Sequence, residues 1–174
     1  MFGYHIFARQ MHLLGGMLAS EHEMRGWWKL IKEIARHVLR RPVVGVALAA
    51  RVPDGKWVLI RRRDSGGWAL PGGTLEWGET LRAAAERELM EEAGVRVSEW
   101  GPIVGVYSDP GRDPRFHAVT VVVAARTALP ERDPVNPAEI IEVGLFAENE
   151  LPEPLSHGMN DMLRDAVSSK QRWE

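Results

Sequence analysis

Residues 79–93 place a dense set of carboxylates on a stretch of strong helix formers, with glycines on either side. Gly72 and Gly73 precede it, and Gly94 follows where a helix stop is expected. On a helix, Glu88 and Glu91 stand at i and i+3 and Glu88 and Glu92 at i and i+4, so all three project from one side, with Glu86 nearby. Leu81, Ala85 and Leu89 form an apolar stripe that seats the glutamates beside a core. Like charges at this spacing destabilise an isolated helix by roughly 0.2–0.5 kcal/mol per pair. A hard divalent cation such as Mg²⁺ or Mn²⁺ reverses that sign, because it takes oxygen ligands from carboxylates. The paired glycines let a backbone approach a ligand with no Cβ in the way.

After Pro42 the texture is one of short apolar runs between turn residues. Strands are predicted over 43–50, 57–63, 103–107, 118–125 and 140–146, with a turn at 52–55 and a glycine-rich passage over 65–73. A closing helix is predicted over 155–167, with Ser156 as N-cap and Met159, Leu163 and Val167 as its apolar stripe. Strands around one internal helix, with another at the end, predict an α/β domain with a mixed sheet packed between helices, over residues 42–174. Cysteine is absent, which excludes disulfide frameworks, thiolate-ligated metals and a thiol nucleophile.

Residues 24–41 read as an amphipathic helix stopped by Pro42. Trp27, Ile31, Ile34 and Val38 follow one face, and Lys29, Lys32, Arg36 and Arg40 the other. Docking on the domain or homodimerisation is expected of it, ahead of peripheral contact with an anionic membrane. Residues 1–23 are expected to be a flexible extension; Gly15-Gly16 breaks their apolar stretch, which argues against a secretory leader and for a cytoplasmic protein. No apolar run approaches the ~20 residues of a spanning helix. The net charge of −2 conceals +4 over residues 1–41 and −6 over 42–174, and nothing in it suggests nucleic-acid binding.

Gly73, five residues, Glu79, seven residues, then Arg87-Glu88-Leu89-Met90-Glu91-Glu92-Ala93-Gly94 resembles the Nudix hydrolase box at every fixed position. The approach 68–73, the return 104–117 and the segment 139–146 are also similar to Nudix proteins. The stretch 106–115, with Pro110 fifteen residues past Val95, resembles the ADP-ribose pyrophosphatase branch. The opening after Pro42, Arg61-Arg62-Arg63-Asp64 and Leu155-Ser156-His157 are similar to a subset of ADP-ribose-hydrolysing members.

The resemblance implies an α/β/α sandwich and divalent-cation-dependent hydrolysis of a nucleoside diphosphate linked to another moiety. ADP-ribose leads as substrate; a nucleotide sugar, then a dinucleoside polyphosphate or oxidised nucleotide, follow. It also implies that the Gly72 carbonyl, Glu88, Glu91 and Glu92 hold the cations, with Glu79 and Arg87 orienting them and Gly73 and Gly94 shaping the box. Glu88, Glu139 or Glu142 is expected to accept the proton. Arg61, Arg63 and Arg115 are candidates for phosphate pairing through planar guanidinium groups. Period-two alternation sets Arg61 and Arg63 opposite Arg62, which is expected to be the bystander. Trp68 is a candidate for base stacking or for plugging the core, and His117 for substrate contact or a structural bond. The rival of another class is a non-catalytic module that senses a nucleotide.

Overall fold

The structure is a computed structural model, and it describes residues 28–29, 31–33, 41–135 and 137–174. The chain divides into two units, Met1–Arg41 and Pro42–Glu174. In the first, residues 28–29 and 31–33 are helical, with Trp28 and Ile31 exposed. The rest of the expected helix over 24–41, the extension 1–23, and the dimer and membrane roles assigned to them lie outside the described residues. Among the described residues no helix is long and apolar enough to cross a membrane.

The second unit begins with β1 (Val43–Arg51), β2 (Trp57–Arg62), β3 (Trp68–Ala69) and β4 (Gly72–Thr74). Helix α1 (Leu81–Ala93) follows, then β5 (Val97–Tyr107), β6 (Ala118–Thr127), β7 (Ile140–Phe146), α2 (Asn160–Val167) and β8 (Arg172–Trp173). The sheet is mixed, in the order β3-β2-β1-β6-β5-β8, with β4 on β1 and β7 on β2. β1 runs parallel to β6, in register from Val43↔Ala118 to Arg51↔Arg126. β2 runs antiparallel to β7, and β4 antiparallel to β1.

Alternation along the central strands divides the core in two. Val46, Leu48 and Ala50 of β1 and Val58 and Ile60 of β2 face Ala84, Ala85, Leu89 and Ala93 of α1. Ala47 and Ala49 of β1 and Trp57 and Leu59 of β2 gather with Met162 and Leu163 of α2 and with Tyr107. A strand covered on both faces needs an almost continuous apolar run, and 43–50 supplies one. Each fully buried leucine or isoleucine here contributes roughly 1.5–3 kcal/mol.

Three elements differ from their sequence reading. β5 begins at Val97, six residues before the apolar run that announces it, because bulges let Glu99 and Pro102 ride an exposed edge. The glycine-rich passage holds two short strands, β3 and β4, paired to β2 and β1. The closing helix starts at Asn160, not at Ser156: a 3₁₀ turn spans Ser156–Gly158, and left-handed His157 and Gly158 interrupt the helical path. Ser156 makes no cap bond, and the Asn160 side chain accepts the Leu155 N–H instead.

The C-terminus is tied to the loop between β5 and β6. The Arg112 guanidinium donates to Asp161 at 2.7 and 2.8 Å and also pairs with Glu174, whose carboxylate accepts the Ser108 and Asp109 N–H groups. This holds the Glu174 carboxyl at about 2, below its ordinary 4.5. Its stabilising contribution is therefore complete above pH 4.5 and is lost as the pH falls through about 2. Arg112→Ala is expected to move the acid-unfolding midpoint to higher pH, read by circular dichroism against pH; an unmoved midpoint would count against this tie.

Candidate active site

Helix α1 is set by its ends. The Thr80 hydroxyl caps it by accepting the Ala83 N–H at 3.2 Å, and Gly94 closes it in the left-handed region at φ 64°. A Cβ on Gly94 would fall 2.0 Å from the Arg132 carbonyl oxygen, so glycine is required there twice over. With the apolar stripe pinned to the sheet, Glu88 and Glu92 turn toward β4, while Glu91 stays half exposed.

β4 leaves room for them only because it is glycine. The Gly72 N–H donates to Glu92 Oε2 at 2.8 Å. A Cβ on Gly72 would lie 2.2 Å from the Val46 carbonyl oxygen, and one on Gly73 2.2 Å from Glu88 Oε1. Glu92 is 6% exposed, and burial first, with repulsion from Glu88, pushes its carboxyl up to about 8. Burial likewise raises Glu88.

Arg87 organises the acidic edge. Its guanidinium forms a two-pronged pair with Glu79 at 2.9 and 3.0 Å, reaches Glu88 at 2.8 Å and Glu91 at 3.4 Å, and donates to the Thr74 carbonyl oxygen at 3.2 Å. Glu79 in turn accepts the Glu76 N–H, fixing the loop that leads into α1. Both guanidinium edges are thereby occupied by protein, an orienting arrangement.

Glu88 and Glu92, with Gly72 and Gly73, line a cleft of about 320 Å³. Glu139, Arg62, Asp113, Arg115 and His157 border it as well. Arg62 donates to Asp64 at 3.2 Å through two nitrogens and approaches Glu92 at 3.5 Å. Arg115 donates to Asp64 at 2.8 Å and to Asp113 at 2.7 Å. The Arg62 guanidinium beside Asp64 holds that carboxyl down at about 2.

Placement corrects the reading of the arginine triplet. Alternation holds, but the faces are exchanged: Arg62 follows Val58 and Ile60 onto the α1 side and borders the cleft. Arg61 pairs with Glu142, its register partner on β7, at 3.0 Å, and Arg63 donates to the Pro137 carbonyl oxygen. Neither Arg61, Arg63 nor Glu142 borders the cleft. Trp68 packs edge-on against Phe146 at 4.7 Å, His117 Nε2–H donates to the Ser108 carbonyl oxygen at 2.9 Å, and Pro110 is exposed and does not border the cleft. The groups that sequence reasoning missed are Asp64, Asp113 and His157. Their signal was membership of the resembling segments Arg61–Asp64, 106–115 and Leu155–His157, which assigned them no role.

A cation is implied by the donor set. Among the described residues no three histidine, aspartate or glutamate side chains converge tightly enough to cage an ion. The residues fit a more open arrangement: buried Glu92 and partly buried Glu88 face one cleft beside a glycine backbone. Mg²⁺ is commonly bound that way, through one or two carboxylates, with substrate phosphates and water completing the shell.

Comparison with known proteins agrees with this geometry. The chain is 44% identical over 72 residues to a protein of Methanocaldococcus jannaschii named ADP-ribose pyrophosphatase, covering 40% of this chain and 42% of that one. It is 47% identical over 58 residues to an RNA pyrophosphohydrolase of Gluconobacter oxydans, covering 32% and 33%. The matches thus span less than half the length of these two curated relatives. Among solved structures, the MutT NUDIX hydrolase from Burkholderia pseudomallei superposes with a TM-score of 0.63 at 32% identity, covering 72% of this chain and 98% of that one. The NUDIX domain family matches residues 39–166, a run that takes in β1 through most of α2 and every group bordering the cleft: this chain belongs to that family.

Proposed function

We propose that the chain is a Mg²⁺- or Mn²⁺-dependent pyrophosphohydrolase that cleaves a nucleoside diphosphate linked to another moiety, with ADP-ribose as its leading substrate. The observation that carries the reading is the Glu88–Glu92 pair, buried Glu92 and partly buried Glu88, set side by side against Gly72 and Gly73 in one cleft. The name of the Methanocaldococcus relative supports ADP-ribose, and that of the Gluconobacter relative keeps other diphosphate linkages in view.

In this reading Glu88 and Glu92, with the Gly72 carbonyl, hold the cation, and Glu91 completes the acidic set. When bound, the cation supplies charge neutralisation for the phosphates and lowers the pKa of the attacking water. Arg87 keeps Glu88 aimed, using Glu79 as its anchor. Glu139 borders the cleft, whereas Glu142 is engaged by Arg61, so Glu139 replaces Glu142 as the loop carboxylate that accepts the water's proton. Glu88 is the alternative acceptor. Water adds to one phosphorus, the bond to the bridging oxygen breaks, and ADP-ribose plus water gives AMP and ribose 5-phosphate.

The test is a panel of ADP-ribose, UDP-glucose, a dinucleoside tetraphosphate and 8-oxo-dGTP with Mg²⁺, following phosphate released by an added phosphatase. ADP-ribose is expected to show the highest kcat/KM. A leading triphosphate would overturn the substrate assignment, and no turnover of any member would overturn the enzyme reading.

A further inference from the structure

The cleft has a second end, whose chemistry differs from that of the glutamates. Val43, Phe116 and Ala118 border it there. Strand register fixes how far apart the ends stand. Gly73 pairs with Val46 and Ala118 with Val43, so three residues of β1 separate them, about 10 Å at the ordinary strand rise. Gly45 lies between and also borders the cleft. A Cβ on it would come within 3.1 Å of the Gly73 carbonyl oxygen, so the strip that joins the two ends is bare backbone at this point.

Phe116 is the aromatic group of this second end. Of the large apolar side chains that stay exposed among the described residues, it alone borders the cleft. Single exposed apolar residues are ordinary on a surface, but this one is held in place from both sides. The Arg115 N–H donates to Asp113 at 2.9 Å, and the Arg115 guanidinium is shared between Asp113 and Asp64. On the other side, the His117 carbonyl oxygen accepts the Val43 N–H at 2.9 Å, and its ring donates to the Ser108 carbonyl oxygen. The same Arg115 guanidinium lies over the Phe116 ring, 5.2 Å from its centroid, yet Phe116 remains 40% exposed. A ring with one face backed and the backbone on either side fixed is preorganised for a flat ligand, because little freedom is left to lose on binding.

The groups beside Phe116 suit neither a phosphate nor a cation. Arg115 and Asp113 neutralise each other, and Val43 and Ala118 are apolar. Trp68, the sequence candidate for stacking, is turned onto Phe146 and does not border the cleft. The part of a nucleotide that fits an apolar, aromatic end is its base, since every base has a π-face.

We propose that Phe116 is the platform on which the nucleobase of the substrate stacks, with the nucleoside lying along β1 over Gly45 and the diphosphate at Glu88 and Glu92. The inference rests on the pyrophosphohydrolase reading for the position of the diphosphate. It adds a specificity-determining residue that lies outside the box and makes no contact with the reacting atoms.

The test is equilibrium binding of two non-hydrolysable ligands to the full chain with Mg²⁺: the α,β-methylene analogue of ADP-ribose, and the same analogue with hydrogen in place of adenine. The wild-type chain is expected to bind the adenine-bearing ligand about tenfold tighter or more. Phe116→Leu keeps apolar bulk but removes the ring, and should bring the two affinities within about threefold. Phe116→Trp restores a π-face and should return most of the difference. Near-ultraviolet circular dichroism and a thermal melt check that both variants are folded. A wild-type chain that binds both ligands alike or neither, a preference that survives in Phe116→Leu, or one that Phe116→Trp fails to return overturns the platform. Turnover of the substrate panel by the wild-type chain is a separate readout. Hydrolysis without base-dependent binding overturns the platform alone, and absence of turnover overturns the parent reading.

Discussion

Glu92→Gln is expected to lower kcat on the best substrate by about 10³-fold or more, while the melting temperature holds or rises. The amide keeps an oxygen for the Gly72 N–H and occupies nearly the same volume, so the local packing has no cause to change. What disappears is an ionisable group at a 6% exposed position, whose carboxyl burial pushes up to about 8 and whose nearest positive group, Arg62, stands off at 3.5 Å, so it is costly to ionise without a cation. Removing a buried, poorly matched ionisable group is neutral or stabilising, whereas losing a hard oxygen ligand removes several kcal/mol of transition-state neutralisation. Steady-state kinetics and a thermal melt on the same preparation read both sides. Retained turnover, or a large fall in melting temperature, would remove Glu92 from the cation site.

Two neighbouring glycines should fail in different ways when each becomes alanine. At Gly72 the new Cβ meets backbone: the Val46 carbonyl oxygen at 2.2 Å and the Ala47 Cα at 2.7 Å, with φ at 153°. Neither atom can move without disturbing β1, the strand both cores share, so Gly72→Ala is expected to destabilise by about 3 kcal/mol. At Gly73 the obstacle is the far end of a side chain, Glu88 Oε1 at 2.2 Å. The carboxylate can swing aside, so Gly73→Ala should cost about 1 kcal/mol in stability and about 10²-fold in kcat by misplacing the ligand. Chemical denaturation with activity assays separates the two. Equal losses of stability would show that the two positions do not divide the work in this way.

The sequence disclosed most of the frame and about half of the cleft, and the division has a physical cause. Periodicity finds elements that carry one apolar face over several residues, which is why β1, β2, α1, β6 and β7 were legible. It is blind to β3 and β4, two or three residues long and held by pairing to β2 and β1. In the triplet 61–63, alternation reports which residues share a face, and only the packing of Ile60 against α1 decides which face that is. His157 was hidden for a related reason. Its segment carries a helical pattern, and the left-handed turn that aims the ring is fixed by distant partners, Ser65 and Arg112. Local signals run out where position depends on residues far along the chain.

The parallel ladder between β1 and β6 has a consequence for the order in which the molecule assembles. Its partners, from Val43↔Ala118 to Arg51↔Arg126, lie 75 positions apart, and the intervening chain holds the glycine pair and all of α1. A ladder of that reach forms only after a long loop has closed, so it enters the folding reaction late and slowly. Glu139 and His157 come later still in the chain. A nascent polypeptide halted before residue 139 therefore carries every glutamate of the box yet cannot complete the cleft, whose border closes only once Glu139 and His157 have been added.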